Sequence, residues 1–425
     1  MQRLVHIVLI SIGLAVLAGC GGGGSGGGST ASTLRLTGLS VDTTVTEKHF
    51  FGDLWPVTWA ADDRLYMAFG DGTGKKDCIP SLSLAGGFNP AVPGVTVSWD
   101  DTSIGGSATQ SGCPAGQWIP GMTEPTGAGF YADFCNHYDC SQCYELCPFT
   151  PNGLVALSGT PPLMNACTAA DQCVVARNVP LNDFNAARME WVKTSSLIAI
   201  GNRLLMDAHV PKDNKGLVTR GYLAYSDDNG VYWNVAPGTS PWTETNGSHF
   251  RVLVFIQMGK AYADNTDGYL YAFGIDHELN GAQRMNLYLA RVPKDQALDY
   301  TAWQYYQGAP GPVGDPCYQG DWSCKESDAI VLPNLYTYAQ VSAMYHPGLG
   351  KYLVFSGWAE AGPGGSLFAA DQPWGPWTQV GTFSGGFIGS MIPKGTGSNT
   401  LYFTGAGGGG YPYTLNLVKM TVQTN

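Results

Sequence analysis

The sequence predicts an all-β fold, a five-bladed β-propeller with a disulfide-rich insertion in the first blade. Three observations predict it. A β-hairpin pattern recurs five times, most copies are followed by an outer strand, and a lone strand-like segment at residues 34–39 precedes the first copy. That segment would complete the last blade and remove its free edge. Composition agrees: of 425 residues, 13% are charged and 12% aromatic, and 58 glycines supply turns rather than helix interiors.

The first hairpin joins residues 57–60 to residues 65–69, short apolar runs rich in aromatic and branched side chains, through a turn at Asp62 and Asp63. In the second, residues 196–200 turn at Gly201 and Asn202 into 204–209. The third is read as residues 260–263 turning through Asp267 and Gly268 into 270–276. The fourth turns at Pro347 and Gly348 between residues 341–345 and 352–357, and the fifth joins 387–391 to 401–405. Outer strands are expected at 221–225, 287–292 and 366–370. After the first of these, Ser226-x-Asp228-x-Gly230-x-x-Trp233 resembles the Asp-box of sialidase-type propellers, a structural turn that says nothing about substrate. A β-sandwich would explain the strands but not the repeated unit of hairpin plus outer strand.

Residues 1–19 read as a signal peptide. Arg3 is followed by an apolar core at 4–17, too short for a comfortable membrane span, and residues 17–20 resemble a lipobox with Cys20 as the lipidated residue. A Gly/Ser-rich tether follows to residue 32, and the propeller domain is expected over 33–425. The implied location is lipid-anchored, at the outer membrane, cell surface or periplasm of a bacterium. Without Cys20, the 11 cysteines leave an even ten, which in an exported chain reads as disulfides. Eight fall between Cys78 and Cys173, in an insertion expected over 75–180. Cys135, Cys140, Cys143 and Cys147 also match an iron–sulfur or zinc spacing; export favours disulfides, the metal content of this stretch stays open, and no cofactor or other metal site is expected. Cys317 and Cys324 are expected to pair with each other. A net charge of −11 with no Lys/Arg run argues against nucleic acid or an anionic membrane surface as partner, and a monomer is expected.

Asp53 and Asp71 lie symmetrically about the first turn, so they should oppose each other at the hairpin's open end. Two carboxylates so placed repel, and one proton is held more tightly. Turn aspartates beside Gly52 and Gly70 explain the same residues equally well. The open ends of the other hairpins add Lys193 and His209, then Gln257, Asp276, His277 and Glu278, then Tyr338, Gln340, Trp358 and Glu360. Trp55 and Trp358 have flat faces suited to sugar rings, or to packing between blades. Paired carboxylates are the usual machinery of glycoside cleavage, and no Ser-His-Asp order, nucleotide loop or HExxH helix is visible.

Residues 51–55 (Phe-Gly-Asp-Leu-Trp) with 69–72 (Phe-Gly-Asp-Gly) resemble the family catalogued as domain of unknown function 4185. So do residues 259–263 with 267–271, 288–294 and 348–353. The resemblance covers most of residues 47–422 apart from the insertion. Members of that family include endo-D-arabinanases of glycoside hydrolase family 183, which cut the D-arabinan of mycobacterial cell walls. The resemblance implies a five-bladed propeller with acid/base aspartates in the first blade, matching Asp53 and Asp71. Expected is a glycosidase cleaving a furanose-containing polysaccharide, D-arabinan first, with Trp55, His209, Gln257, Asp276 and Trp358 binding substrate. A glycan-binding propeller without chemistry, and a structural lipoprotein, are the alternatives.

Overall fold

The computed structural model describes residues 34–42, 46–52, 54–70, 153–166, 177–178, 192–212, 217–230, 233–278, 283–339, 341–357, 365–383, 387–406 and 414–425. The chain divides into two units, Met1–Leu34 and Arg35–Asn425. The expected signal segment, Cys20 and the tether all lie outside the described residues, as do Asp53, Asp71 and Trp358. Among the described residues, the regular structure of the second unit is nearly all strand: its helical segments are 3-10 pieces of three residues each. Among the described residues no helix is long and apolar enough to cross a membrane.

The strands sort into antiparallel sheets that follow chain order. The first comprises Val57–Trp59, Leu65–Phe69, Gly153–Ser158 and Asn165–Ala166; the second Leu197–Ile200, Arg203–Pro211, Val218–Ser226 and Asn234–Val235. The third is built on Val252–Gln257, Tyr269–Ile275, Tyr288–Pro293 and Gln304–Tyr306, the fourth on Ser342–His346, Lys351–Ser356, Gly365–Ala370 and Thr378–Phe383. In the last, Phe387–Ile392, Thr400–Ala406 and Thr414–Thr424 are joined by the N-terminal strand Leu36–Val41, with Leu39 opposite Val422. The early strand is thus the closing strand that the sequence predicts. A further segment, Thr46–Phe51, pairs with the other half of Thr414–Thr424.

Each sheet is tied to the next near its innermost strand. Thr58 Oγ1 accepts a hydrogen bond from the Ala199 amide at 2.8 Å, and Ser196 Oγ accepts from the Phe255 amide at 2.8 Å. Val252–Gln257 runs parallel to Ser342–His346, with Ile256 opposite Ala343. Ser342 Oγ accepts from the Met391 amide at 2.7 Å, and Thr404 Oγ1 donates to the Trp55 carbonyl at 3.0 Å, returning to the first sheet. The result is a closed β-propeller-like ring whose inner strands all run from one open end to one turn end. Short hydroxyls suit this work, because they bond a neighbouring backbone amide without holding the sheets apart. Apolar side chains fill the wedges between sheets; Trp55, Leu65, Met67 and Phe69 of the first pack with Ile392, Leu415 and Leu417 of the last. The Asp-box turn is structural as expected: Ser226 Oγ accepts from the Gly230 amide, left-handed Gly230 turns the chain, and Trp233 is buried.

Two expectations change. Residues 75–180 are not wholly an insertion, because Gly153–Ser158 and Asn165–Ala166 are the third and fourth strands of the first sheet, with Met67 opposite Val155. The third hairpin begins earlier than expected. Its first strand is Val252–Gln257, and Lys260–Tyr262 is a 3-10 turn in which Ala261 and Tyr262 have positive φ. Cys317 and Cys324 form a disulfide, as their spacing leads one to expect. The other eight cysteines of the domain lie outside the described residues.

Candidate functional site

At the open end of the ring, the second and third sheets bring four charged side chains together. His209, in the strand Arg203–Pro211, forms a bridge with Lys193 on the segment leading into the inner strand. Strand periodicity puts Asp207, two residues earlier, on the same face. Glu278 reaches them from the segment after Tyr269–Ile275, where Leu217 pairs with His277 and brings the two sheets together.

His209 Nδ1 lies 2.8 Å from Asp207 Oδ2, and Nε2 lies 2.6 Å from Glu278 Oε1. With Asp207 and Glu278 both ionised, each can only accept, so both ring nitrogens donate and the ring is an imidazolium. Burial alone would discharge a fully enclosed histidine, but the carboxylates of Asp207 and Glu278 outweigh it and raise His209 to about 9. Burial pushes the Asp207 carboxyl up, while His209 and the amides of Leu253 and Ser195 pull it back. Those amides lie 3.0 and 3.4 Å from its oxygens, so Asp207 also ties the second sheet to the third. Glu278 is nearly buried; burial would raise its carboxyl, but Lys193 and His209 hold it below the usual range. The Lys193 ammonium lies 3.9 Å from Glu278 Oε2. Chemically, this Glu278 is an acceptor and a fixed negative charge, not a proton donor at neutral pH.

Beside this group, Asp276 is more open. Its Oδ1 meets His277 Nδ1 at 2.7 Å and its Oδ2 meets Arg251 Nη2 at 3.3 Å. Partial burial works against ionisation there, but His277, Arg251 and His249 keep the carboxyl below its ordinary value. The imidazole of His249 stacks on Tyr288 at 4.1 Å. On the first sheet, the open end is marked by Gly52 and Gly70. A Cβ on Gly52 would stand 3.0 Å from the Gly70 carbonyl, so these two backbones are in contact. Leu54 and Trp55 follow in consecutive left-handed conformations, φ 65° and 50°. Such conformations in non-glycine residues cost on the order of 1–3 kcal/mol each and cluster at functional sites.

The structure revises three of the expected substrate contacts. Trp55 is fully enclosed, packs on Phe69 with ring centroids 5.1 Å apart and donates from Nε1 to the Gly52 carbonyl, so it offers no face to a sugar. Gln257 sits at the turn end of its hairpin, because Val252, not Gln257, pairs with Ile275 beside Asp276. Its Nε2 donates to the Leu197 carbonyl, a strut between sheets. His209 is at the open end, but its ring is buried with both nitrogens engaged by Asp207 and Glu278, so it offers no free nitrogen to a sugar. Asp276 is where the sequence reading puts it. Asp207 was not foreseen, although its spacing of two from His209 is the signal that could have found it. Among the described residues, no group of three or more His, Cys, Asp or Glu side chains is arranged to hold a metal ion.

Residues 179–411, more than half of the chain, match the model of the family described as Domain of unknown function (DUF4185). The chain belongs to that family. The match begins after Asp53 and Asp71 and includes Lys193, Asp207, His209, Asp276 and Glu278. No curated protein matches the chain in sequence. Among solved structures, it is similar to a putative hydrolase from Bacteroides ovatus, with 12% identity, TM-score 0.45, and 88% of this chain and 87% of that one covered. It is also similar to a family 117 glycoside hydrolase of the marine bacterium Zobellia galactanivorans, with 7% identity, TM-score 0.43 and coverage of 91% and 90%. A GH43_1 enzyme from Xanthomonas citri shows 9% identity, TM-score 0.40 and coverage of 89% of each chain.

Proposed function

We propose that this DUF4185 protein is a five-bladed propeller glycosidase that cleaves a furanose-containing polysaccharide, D-arabinan in the first instance, at the open end of its ring. Asp71 is the acid and Asp53 the base. Asp71 protonates the glycosidic oxygen as the bond to the anomeric carbon breaks. Water adds to that carbon, and Asp53 takes the water's proton. Direct attack by water inverts the configuration, as in two-carboxylate enzymes that leave about 6.5–9.5 Å between acid and base for that water. Asp276 binds a sugar hydroxyl, and Trp358 supplies a stacking face.

The observation that carries this reading is the contact between Gly52 and Gly70, the residues immediately before Asp53 and Asp71, next to the strained pair Leu54 and Trp55. The resemblance of these motifs to the arabinan-cutting members of the family supports the substrate class. The reading includes export and a lipid anchor at Cys20, which would hold the domain at a membrane surface by its Gly/Ser tether. Incubating the full chain with arabinogalactan and a panel of other polysaccharides, with products resolved by chromatography, tests it. Release of arabino-oligosaccharides is expected. Glycan binding without any product would make the domain a binding module instead.

A further inference from the structure

We infer that Glu278 is a further catalytic carboxylate, facing the sugar ring on which positive charge builds as the glycosidic bond breaks, and that Asp207 and His209 are its positioning residues. The inference rests on the glycosidase reading and adds to it a group outside the Asp53/Asp71 pair. Three observations carry it. Glu278 crosses from the third sheet to the second, and its Oε1 is fixed 2.6 Å from His209 Nε2. His209 is in turn held through Nδ1 by Asp207, whose own oxygens take backbone amides from both sheets, so the imidazole has no freedom to turn away. The carboxylate has a nearly buried side chain at the end of the ring that carries the half-exposed Asp276, where a fixed charge acts through little water.

A purely structural strut between sheets has no need of an ion pair enclosed to this degree, since apolar packing does that work at lower desolvation cost. A transition state with positive character at the anomeric carbon does need a negative charge that is already oriented. The family model's match covers Asp207, His209 and Glu278 but not the first-sheet aspartates.

The test uses the full chain on arabinogalactan. Glu278→Gln keeps size and a hydrogen bond to His209 but removes the charge. Its kcat is expected to fall about a hundredfold, with KM within about threefold of the parent, as when one preorganised electrostatic contact is lost. His209→Gln removes the cation and leaves in place Lys193 beside Glu278, Asp207 behind it, and His249, Arg251 and His277 around the neighbouring Asp276. The acid limb of its pH–rate profile is expected to move up by about one unit or more, with activity recovered as pH rises. A strut alone gives no such recovery. Glu278→Gln with parental kcat, or a His209→Gln loss that is the same at every pH, overturns the inference and leaves the glycosidase reading standing. If Glu278→Gln does not fold, the His209→Gln profile decides alone. A parent that cleaves none of the glycans overturns both.

Discussion

Lys394, from the last sheet, donates from Nζ to both the carbonyl and the carboxylate of Asp63, at 2.6 and 2.9 Å, pinning the first hairpin's turn. Hydrogen bonds from Lys394 and Trp59 lower the Asp63 carboxyl from 3.8 to about 2. A folded-state value below the unfolded one adds stability above the unfolded value, and that stability is lost as pH falls through the folded one. The window therefore runs from 3.8 down to about 2. Asp63 is largely solvent-facing, which limits its contribution to about 1 kcal/mol or less. Asp63 sits at φ 69°, a conformation that asparagine also tolerates, so Asp63→Asn is a clean comparison. Urea midpoints of parent and variant should be fully separated above about pH 4 and converge only as pH falls to about 2; curves that stay parallel would sink the assignment.

Trp55→Ala should act on the fold and not on the glycan. The side chain is fully buried against Phe69, so its truncation is expected to cost about 3–5 kcal/mol of stability. Trp55→Phe should cost less and leave KM unchanged. Chemical denaturation beside kinetics would show it, and a raised KM in a well-folded Trp55→Phe would restore the sugar-platform role.

Asp53→Asn and Asp71→Asn are each expected to fold, to keep glycan affinity, and to lose about a hundredfold or more in rate, the scale of one positioned acid or base. Near-parental turnover in both would leave the pair as turn residues.

Asp276→Asn should show mainly in KM. Its carboxylate is already engaged by His277 and Arg251 and is open to solvent on one side, the setting of a binding group. A loss confined to kcat would give it a role in the chemistry instead.

Replacing Cys317 and Cys324 by serine opens a short loop closed over a separation of 7 residues. The chain-entropy account gives a loss of about 2–3 kcal/mol. Thermal melts of parent and double variant, both at saturating substrate and without it, should differ by the same amount, because the loop lies at the outer edge of the third sheet, where Trp322–Ser323 pairs with Gln304–Tyr306, and not among the open-end side chains.

Much of the fold was legible because second strands such as residues 204–209 and 352–356 combine β-formers with turn residues at their ends. The closing strand was legible because it was left without a partner of its own. The third hairpin was misread for a physical reason. Val252–Gln257 is buried throughout, so it shows no alternation, while Tyr262, buried within a turn, imitates a strand residue. That error carried Gln257 to the wrong end of the ring. Cysteine density likewise concealed the apolar run of Gly153–Ser158. At the candidate site, His209, Asp276 and Glu278 could be named from hairpin geometry. The bond between His209 and Glu278 could not, since it depends on how two sheets of separate sequence origin lie against one another.

Because each inner strand is bonded to the strands on both sides of it, the ring has no loose member from which melting could begin. Opening any one sheet breaks two seams at once, including amides held by a single hydroxyl: Ala199 by Thr58, Phe255 by Ser196, Met391 by Ser342. These amides lie in different sheets, yet they should exchange their hydrogens with solvent at one shared, slow rate set by global unfolding, while surface turns exchange freely. Removing one such hydroxyl, as in Ser342→Ala, would then quicken exchange at all three, including those far from the substitution.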